Sequence, residues 1–435
     1  MTEEDLPRRG GAPVVIGLWV LTRALAMLIL ATGERLVVGD VFYYWRRISA
    51  LVETGLPGTL REYPTPVVWF LSLPQIFSGG SRTGYLVAFV VLMLALDGVL
   101  TYALWRGAGR RHDLAVDFWI AYVFLVGPLC YTRFDMVPAV LAGGALLAAR
   151  RQTAAGSVLT GALTGLGAAI KLWPALLAGA FAVRRRGRGP MLGAFVGVGF
   201  GLAGLSLALG GSSRLFSPLT WQSGRGLQIE SVWATPLMVA RAFDPVRWTV
   251  RYSTFQAYEV FGPGVSALLA VSTAATVVGL LVTVVLFVRG FRNPQVTAVG
   301  LGLLVLATIA ITTITNKTLS PQYLLWLGGP AAVLLLSRQD EGPRWHRALG
   351  RLAVQLLVLA LLTQLTYPLL YNGLLGRGSS AFMAASTTVT ALRNHSLLVL
   401  TVEVCRYAWS ALRRPARADR TVPAELSPQE SAPDA

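Results

Sequence analysis

Runs of about 20 apolar residues recur along the whole chain, and they restrict the folds that are open to it. One such run is YLVAFVVLMLALDGVLTYALW, residues 85–105. Within a bilayer every backbone polar group must find its partner inside the protein, so only helices and closed barrels can span it. Because the runs are continuously apolar and do not alternate with polar residues, a barrel is disfavoured. The sequence therefore predicts an all-α polytopic integral membrane protein.

The composition supports this class and accounts for a large positive charge. Of the 435 residues, 54% are hydrophobic and 14% are charged, whereas a soluble domain carries about a quarter charged residues. The formal net charge of +17 would suggest nucleic-acid binding in a soluble protein. Here the basic residues stand at the ends of the apolar runs, as the positive-inside rule predicts. We therefore expect membrane lipids, and no nucleic acid, as partners.

Short basic segments set the orientation of the spans. If RRG at 8–10 lies in the cytoplasm, the arginine-rich turns at 106–111 and 184–188 face the same side, provided that the proline-broken segment 64–74 does not cross. We expect that segment to form a juxtamembrane helix. About twelve spans result, with both termini inside: 13–32, 84–105, 114–131, 136–149, 156–171, 172–183, 191–210, 264–288, 295–315, 322–337, 351–371 and 384–403.

This count divides the chain into three parts and leaves two long segments outside. The parts are a cytoplasmic N-terminus (1–12), a transmembrane domain (13–403) and a cytoplasmic tail that is first basic and then disordered (404–435). The outer segments are 33–83 and 211–263. In the first of them, Phe42, Trp45, Ile48 and Val52 recur at helical spacing, a pattern typical of a helix lying in the membrane interface.

Polar and aromatic residues return to the outer face from six segments. They are Asp40 with the residues after it, REYP (61–64), YTRFD (131–135), IKLWP (170–174), WQSGRGLQIESVW (221–233) and TNKTLSPQY (315–323). Ionisable groups at membrane depth are costly, so their first interpretation is functional. Simpler interpretations stay open: Arg133 and Arg214 as interfacial anchors, and Asp135 as a helix cap. Asp97, within a span, is interpreted as a structural hydrogen-bonding partner. The three histidines show no metal spacing, so no metal site is predicted.

Asp40 allows two interpretations. It can cap the interfacial helix that begins beside it, or its carboxylate can accept a proton from an alcohol as a general base. The aromatic residues Tyr43, Tyr44 and Tyr63 favour the second interpretation, since a sugar ring presents one face for stacking and a rim of hydroxyls for hydrogen bonds.

Six motifs, taken in order, resemble glycosyltransferase family 87. They are GD-x-F-Y-Y (39–44), EYP-x-P (62–66), RFD-x-x-P (133–138), G-x-x-x-G-x-x-A-A-I-K-L-W-P (161–174), GRGLQIES (224–231) and NKTLSPQYLLW (316–326). The resemblance implies a GT-C fold in a bacterial plasma membrane, with an active site on the extracytoplasmic face. It also implies transfer of a sugar, mannose first, from a polyprenyl phosphate to a glycolipid or glycan hydroxyl. The lipid-linked sugar is then a co-substrate, and no further cofactor is expected.

The resemblance implies an inverting displacement in which Asp40 is the general base. The candidates for the donor phosphate are Lys171, Lys317, Arg133 and Arg225. The candidates for the sugar or acceptor are Tyr43, Tyr44, Tyr63, Asp135, Trp221, Gln228, Glu230, Gln322 and Tyr323. Two alternatives stay open: an arabinosyltransferase of the same fold, and a transporter or flippase for a lipid-linked sugar. A transporter would also need polar residues at the midplane and on the inner face.

Overall fold

The computed structural model describes residues 11–32, 36–109, 113–338 and 342–413. Most of the N-terminus predicted to be cytoplasmic, and the tail predicted to be disordered after Arg420, lie outside these residues. Within them the chain is built from α-helices with a single small hairpin. The helices are α1 (Ala12–Thr32), α2 (Gly39–Ser49), α3 (Leu51–Gly58), α4 (Thr65–Ile76), α5 (Arg82–Gly107), α6 (Leu114–Val126), α7 (Leu129–Thr132), α8 (Met136–Arg150), α9 (Ala154–Ile170), α10 (Ala175–Ala182), α11 (Arg188–Ser223), α12 (Thr235–Phe243), α13 (Val265–Arg292), α14 (Ala298–Thr315), α15 (Leu325–Leu335), α16 (Pro343–Gln364), α17 (Tyr371–Leu374) and α18 (Ser380–Ala411).

The predicted all-α polytopic architecture is confirmed. Each of the twelve predicted spans overlaps a helix, but 114–131 includes the break between α6 and α7, and 172–183 contains only the eight residues of α10. Among the described residues, six helical segments are long and apolar enough to cross a bilayer by themselves; they are α1, α5, α11, α13, α14 and the segment from Pro343 to Leu369. Helix α14 is buried on nearly all sides, so a helix that is apolar all round packs here at the centre of the bundle.

Three short helices, α2 to α4, fill the chain between α1 and α5. Helix α4 has 12 residues and is about 18 Å long, too short for a hydrocarbon core of about 30 Å. In α2 the buried face consists of Val41, Tyr44 and Ile48. It shares only Ile48 with the predicted stripe: Phe42 and Trp45 are half-buried, and Val52, which lies in α3, is 96% exposed.

The central outer segment is more structured than predicted. Helix α11 continues to Ser223 through a kink at Gly211, where φ is 74°. Strands β1 (Thr249–Tyr252) and β2 (Tyr258–Phe261) then pair antiparallel, with Thr249 opposite Phe261. Gln228 forms an isolated antiparallel bridge with Glu259. The backbone amide of Gln228 also donates to the carbonyl of Lys317, 3.1 Å away. The hairpin and the loop after α14 therefore hold residues 224–231 in place.

Asp97 has the structural role predicted for it. Its Oδ2 lies 2.8 Å from Nε of Arg23, and the two side chains form a buried ion pair between α1 and α5. Trp19, Trp119 and Tyr131 also donate to the carboxylate, over 3.1, 2.8 and 2.9 Å. A buried charge is tolerated when it is paired and hydrogen-bonded in this way, so this cluster joins α1 to the bundle.

Candidate active site

The six polar segments line one cavity of about 560 Å³. It lies at one end of the bundle. Helix α2, the turn before α8 and the central outer segment line it, together with the C-terminal ends of three helical segments: α9, α14 and Pro343–Leu369. Its volume lies within the range of about 300–1,000 Å³ that is usual for ligand sites. Eleven of the predicted site residues line it: Asp40, Tyr43, Tyr63, Arg133, Lys171, Trp221, Arg225, Gln228, Glu230, Gln322 and Tyr323.

Asp40 contributes a carboxylate to the cavity next to a buried guanidinium. Its Oδ2 lies 2.8 Å from Nε of Arg133, and its side chain is 41% exposed, against 7% for that of Arg133. The Nε–H makes no aligned hydrogen bond, so the contact is an ion pair without directional bonding. Asp40 does not cap α2, because the N-cap is Val38 and no side chain caps this end. The capping interpretation of Asp40 is therefore wrong.

Arg133 is held by backbone carbonyls rather than by lipid. It donates to the carbonyl oxygens of Val37 and Thr132, over 2.9 and 3.1 Å, and to the hydroxyl of Tyr367, over 3.2 Å. Its pKa is raised, although burial acts in the opposite direction, because Asp40 is close by. Gly127 ends α6 with a positive φ of 83°, and the turn that follows carries Arg133 back to the cavity. The anchor interpretation is thus wrong for Arg133.

The anchor interpretation also fails for Arg214, which is 1% exposed. Its guanidinium donates to the carbonyl oxygens of Tyr63 and Leu60, over 2.9 and 3.3 Å. It therefore fastens α11 to the first outer segment and holds the backbone of Tyr63, which lines the cavity.

Lys171 is the second cation of the cavity. Helix α9 ends at Ile170, and Lys171 is extended with φ −141° and ψ 141°. Its Nζ lies 2.5 Å from Oδ1 of Asp135 and 4.7 and 4.9 Å from the ring centroids of Tyr323 and Trp326. Since cations bind the faces of aromatic rings, Lys171 is fixed by one carboxylate and two rings.

Three predicted site residues do not line the cavity. Tyr44 is 1% exposed and packs edge-on against Tyr63 and Phe134, because the other side of α2 faces the cavity. Asp135 is also 1% exposed and accepts from Lys171 and from Nε1 of Trp326; it makes no capping hydrogen bond. Lys317 is half-buried, and burial and then the nearby Arg225 lower its pKa. Asp135 occupies the N-cap position of α8, but its carboxylate binds Lys171 and Trp326 and does not cap the helix. The binding roles predicted for these three residues stay predictions.

Glu230 lines the cavity but is 1% exposed. Burial raises the pKa of its carboxyl to about 7, although Nη1 of Arg393 lies only 3.2 Å from its Oε2. Nε2 of Gln228 donates to Oε1 over 3.3 Å. Arg393 and Asn394 also donate to the backbone carbonyl of Glu230. This network joins α18 to the cavity wall.

Several site residues were not predicted from the sequence. Tyr367 and Tyr371 line the cavity from the C-terminal side, with ring centroids 4.8 Å apart. Glu62, from the predicted REYP segment, accepts from the hydroxyl of Tyr43 over 2.7 Å. Arg393 lies within a span predicted from hydropathy, and a lone arginine in such a span is the signal that could have identified it.

No group of three or more His, Cys, Asp or Glu side chains that could hold a metal ion occurs in the described part of the chain. The expectation that catalysis needs no metal stays a prediction.

Part of the chain that forms this cavity matches the sequence profile of a known protein family. The sequence profile of glycosyltransferase family 87 matches residues 62–243, a segment that contains Arg133, Lys171, Arg225 and Glu230. The match confirms the resemblance for the four motifs inside this segment, whereas the motifs at 39–44 and 316–326 lie outside it. The chain is a membrane glycosyltransferase. Asp40 lies before the matched segment of this glycosyltransferase, so its role depends on the geometry described above.

A solved structure of modest similarity was also found. It is the crystal structure of ArnT from Cupriavidus metallidurans bound to undecaprenyl phosphate. The two chains are 15% identical with a TM-score of 0.46, and the match covers 89% of this glycosyltransferase and 77% of ArnT. No curated protein matches the glycosyltransferase significantly.

Proposed function

We propose that the enzyme transfers a sugar, in the first place mannose, from a polyprenyl phosphate to a hydroxyl of a glycolipid or cell-envelope glycan. The reaction takes place on the extracytoplasmic face of a bacterial plasma membrane. One observation carries the proposal: a half-exposed carboxylate, Asp40, shares a cavity at the ends of membrane helices with two fixed cations, Arg133 and Lys171.

The chemistry follows from these three groups. The carboxylate of Asp40 removes the proton of the acceptor hydroxyl as its oxygen attacks the anomeric carbon of the donor. The bond between that carbon and the phosphate oxygen breaks, and the lipid phosphate leaves with an additional negative charge. Arg133 and Lys171 stabilise that charge where it develops, which is the largest contribution in many enzymes. Attack opposite the leaving group inverts the anomeric configuration.

The cations are suited to a phosphate because they are held before it arrives. Arg133 is fixed by two carbonyls and a phenol, and Lys171 by Asp135 and two rings. Preorganised donors in a site shielded from water stabilise charge without reorganising. Arg225 lines the same cavity and adds a third positive charge.

The aromatic wall is suited to a sugar. Four aromatic residues, Tyr43, Tyr63, Trp221 and Tyr323, and two amide residues, Gln228 and Gln322, line the cavity. Rings can stack on the apolar face of a pyranose, while amides bind its hydroxyls. These residues are therefore proposed to position the donor sugar or the acceptor.

The test is a transfer assay with purified enzyme in lipid nanodiscs. Radiolabelled polyprenyl-phosphate mannose and polyprenyl-phosphate arabinose are each supplied with a glycolipid extract as acceptor. We expect label from mannose to enter the glycolipid fraction with an α-linkage. Label from arabinose alone would favour the arabinosyl alternative, and transfer from neither donor would refute the proposed function.

A further inference from the structure

A second cavity lies at the opposite end of the same helices. It has a volume of about 340 Å³. Ala149 near the end of α8, Ser157 near the start of α9 and Thr297 before α14 line it, whereas the candidate active site is reached from the other ends of these helices. Helix α14 has 18 residues and is therefore about 27 Å long, so the two cavities face opposite sides of the membrane.

Arginines dominate this second cavity. Arg184, Arg185, Arg186 and Arg188 line it, and no aspartate or glutamate is found among its lining residues in the described part of the chain. The pKa of Arg184 is lowered, first by burial and then by the charge of Arg150. Like charges brought together in a partly buried place destabilise one another, and a bound anion would offset this repulsion.

The donors of the cavity are not all satisfied within the protein. Arg184 donates through Nη1 to the carbonyl of Ala149, over 2.9 Å, but its buried Nε has no partner. Arg188 donates through Nε to the carbonyl of Ala182, over 2.5 Å. These backbone contacts hold the two guanidiniums at the cavity, while Arg185 and Arg186 are exposed at its edge.

Three helices begin at this cavity as well. Ser157 lies in the first turn of α9, Arg188 is the first residue of α11, and Thr297 is the N-cap of α14. The N-terminal end of a helix carries a partial positive charge and unpaired N–H groups. A basic loop that served only as a topology signal would not need a cavity lined by four arginines.

We propose that this arginine cavity binds a phosphate-bearing anion, namely the headgroup of an anionic phospholipid in the leaflet opposite the active site. The cavity lies at the end of the bundle where the arginine-rich loop 184–188 is expected to meet the lipid headgroups, and Phe181, Met191 and Leu301 also line it. Basic pockets between helices on the inner side of a membrane bind lipid headgroups of this kind. The site is independent of the proposed transfer reaction.

The test uses the full chain in detergent, titrated with phosphatidylglycerol and followed by native mass spectrometry. The variant R185Q/R186Q removes two exposed cations of the cavity. The variant R106Q/R347Q removes two exposed cations that do not line it, and it serves as the matched control. We expect R185Q/R186Q to weaken phosphatidylglycerol binding by about 30-fold and the control to bind as the wild type does.

Three outcomes would overturn the proposal. The first is equal weakening in both variants, which would mean that only overall charge matters. The second is equal binding of phosphatidylcholine by the wild type. The third is binding of inorganic pyrophosphate that depends on Arg185 and Arg186 without any binding of phosphatidylglycerol, which would assign the site to a soluble anion. Displacement of phosphatidylglycerol from the wild type by pyrophosphate would support the phosphate chemistry.

Discussion

Replacing Asp40 by Asn tests the proposed base most directly. The amide has nearly the same shape as the carboxylate but cannot accept the proton of the acceptor hydroxyl. A positioned general base contributes about 10²- to 10⁴-fold to a rate, which corresponds to about 2.7–5.5 kcal/mol of transition-state free energy. We therefore expect kcat of the D40N enzyme to fall by at least about 100-fold.

The structure predicts that the fold and donor binding survive this change. Arg133 keeps its contacts with the carbonyls of Val37 and Thr132 and with the hydroxyl of Tyr367, so its position does not depend on Asp40. Because the side chain of Asp40 is 41% exposed, the lost ion pair costs at most about 1 kcal/mol of unfolding free energy. KM for the donor should therefore change little, and the Tm should fall by no more than about 2 °C.

The assay measures initial rates at several donor concentrations, together with a thermal-unfolding curve for each protein. E62Q is the matched control, because Glu62 is another carboxylate that lines the same cavity and its amide can still accept from Tyr43. A D40N enzyme with the wild-type kcat would refute the assignment of the base. A large loss in E62Q without one in D40N would transfer the role to Glu62.

Three further predictions concern the ion pairs of the cavity. K171M should abolish transfer and lower the free energy of unfolding by about 3–5 kcal/mol, because it leaves Asp135 buried without its partner; D135N/K171M should regain stability but not activity, as measured by denaturation and turnover. R393M should destabilise by a similar amount, about 3 kcal/mol, and E230Q/R393M should recover part of it; an additive loss in the double variant would show that the two residues are not coupled. The carboxyl of Glu230 has its pKa raised from 4.5 to about 7, so the folded protein holds more protons than the unfolded chain between these values. Its contribution to stability is fully present below pH 4.5 and is lost as the pH rises through about 7; the Tm of E230Q should lack this part of the pH dependence, and identical profiles would contradict it.

The helices and the convergence of the six segments were predictable because both depend on properties of whole segments, namely the hydropathy of the spans and the charge of the loops. A run of about 20 apolar residues is a strong signal for a span, and the charge of the loops fixes which ends share a face. Those two rules place segments as distant as Asp40 and Tyr323 on one face, and the structure shows that both line one cavity.

The orientation of individual side chains was not predictable in the same way. Neighbouring residues on a helix differ by about 100° in direction, so Tyr43 faces the cavity while Tyr44 enters the core. Asp135 occupies the N-cap position of α8, and only its contacts with Lys171 and Trp326 show that its carboxylate is their partner and does not cap the helix. Arg393 pairs with Glu230, which is 163 positions away in the chain. The periodicity of a sequence predicts only contacts between residues a few positions apart.

The ion pair between Arg23 and Asp97 has a consequence for how the protein enters the membrane. A guanidinium in the middle of the first helix is costly to expose to hydrocarbon, and here it is neutralised by a residue of α5 and further fixed by the carbonyl of Ile120 in α6. Alone in the bilayer, the first helix would expose this charge to lipid. We therefore expect its position in the membrane to become stable only when α5 and α6 pack against it.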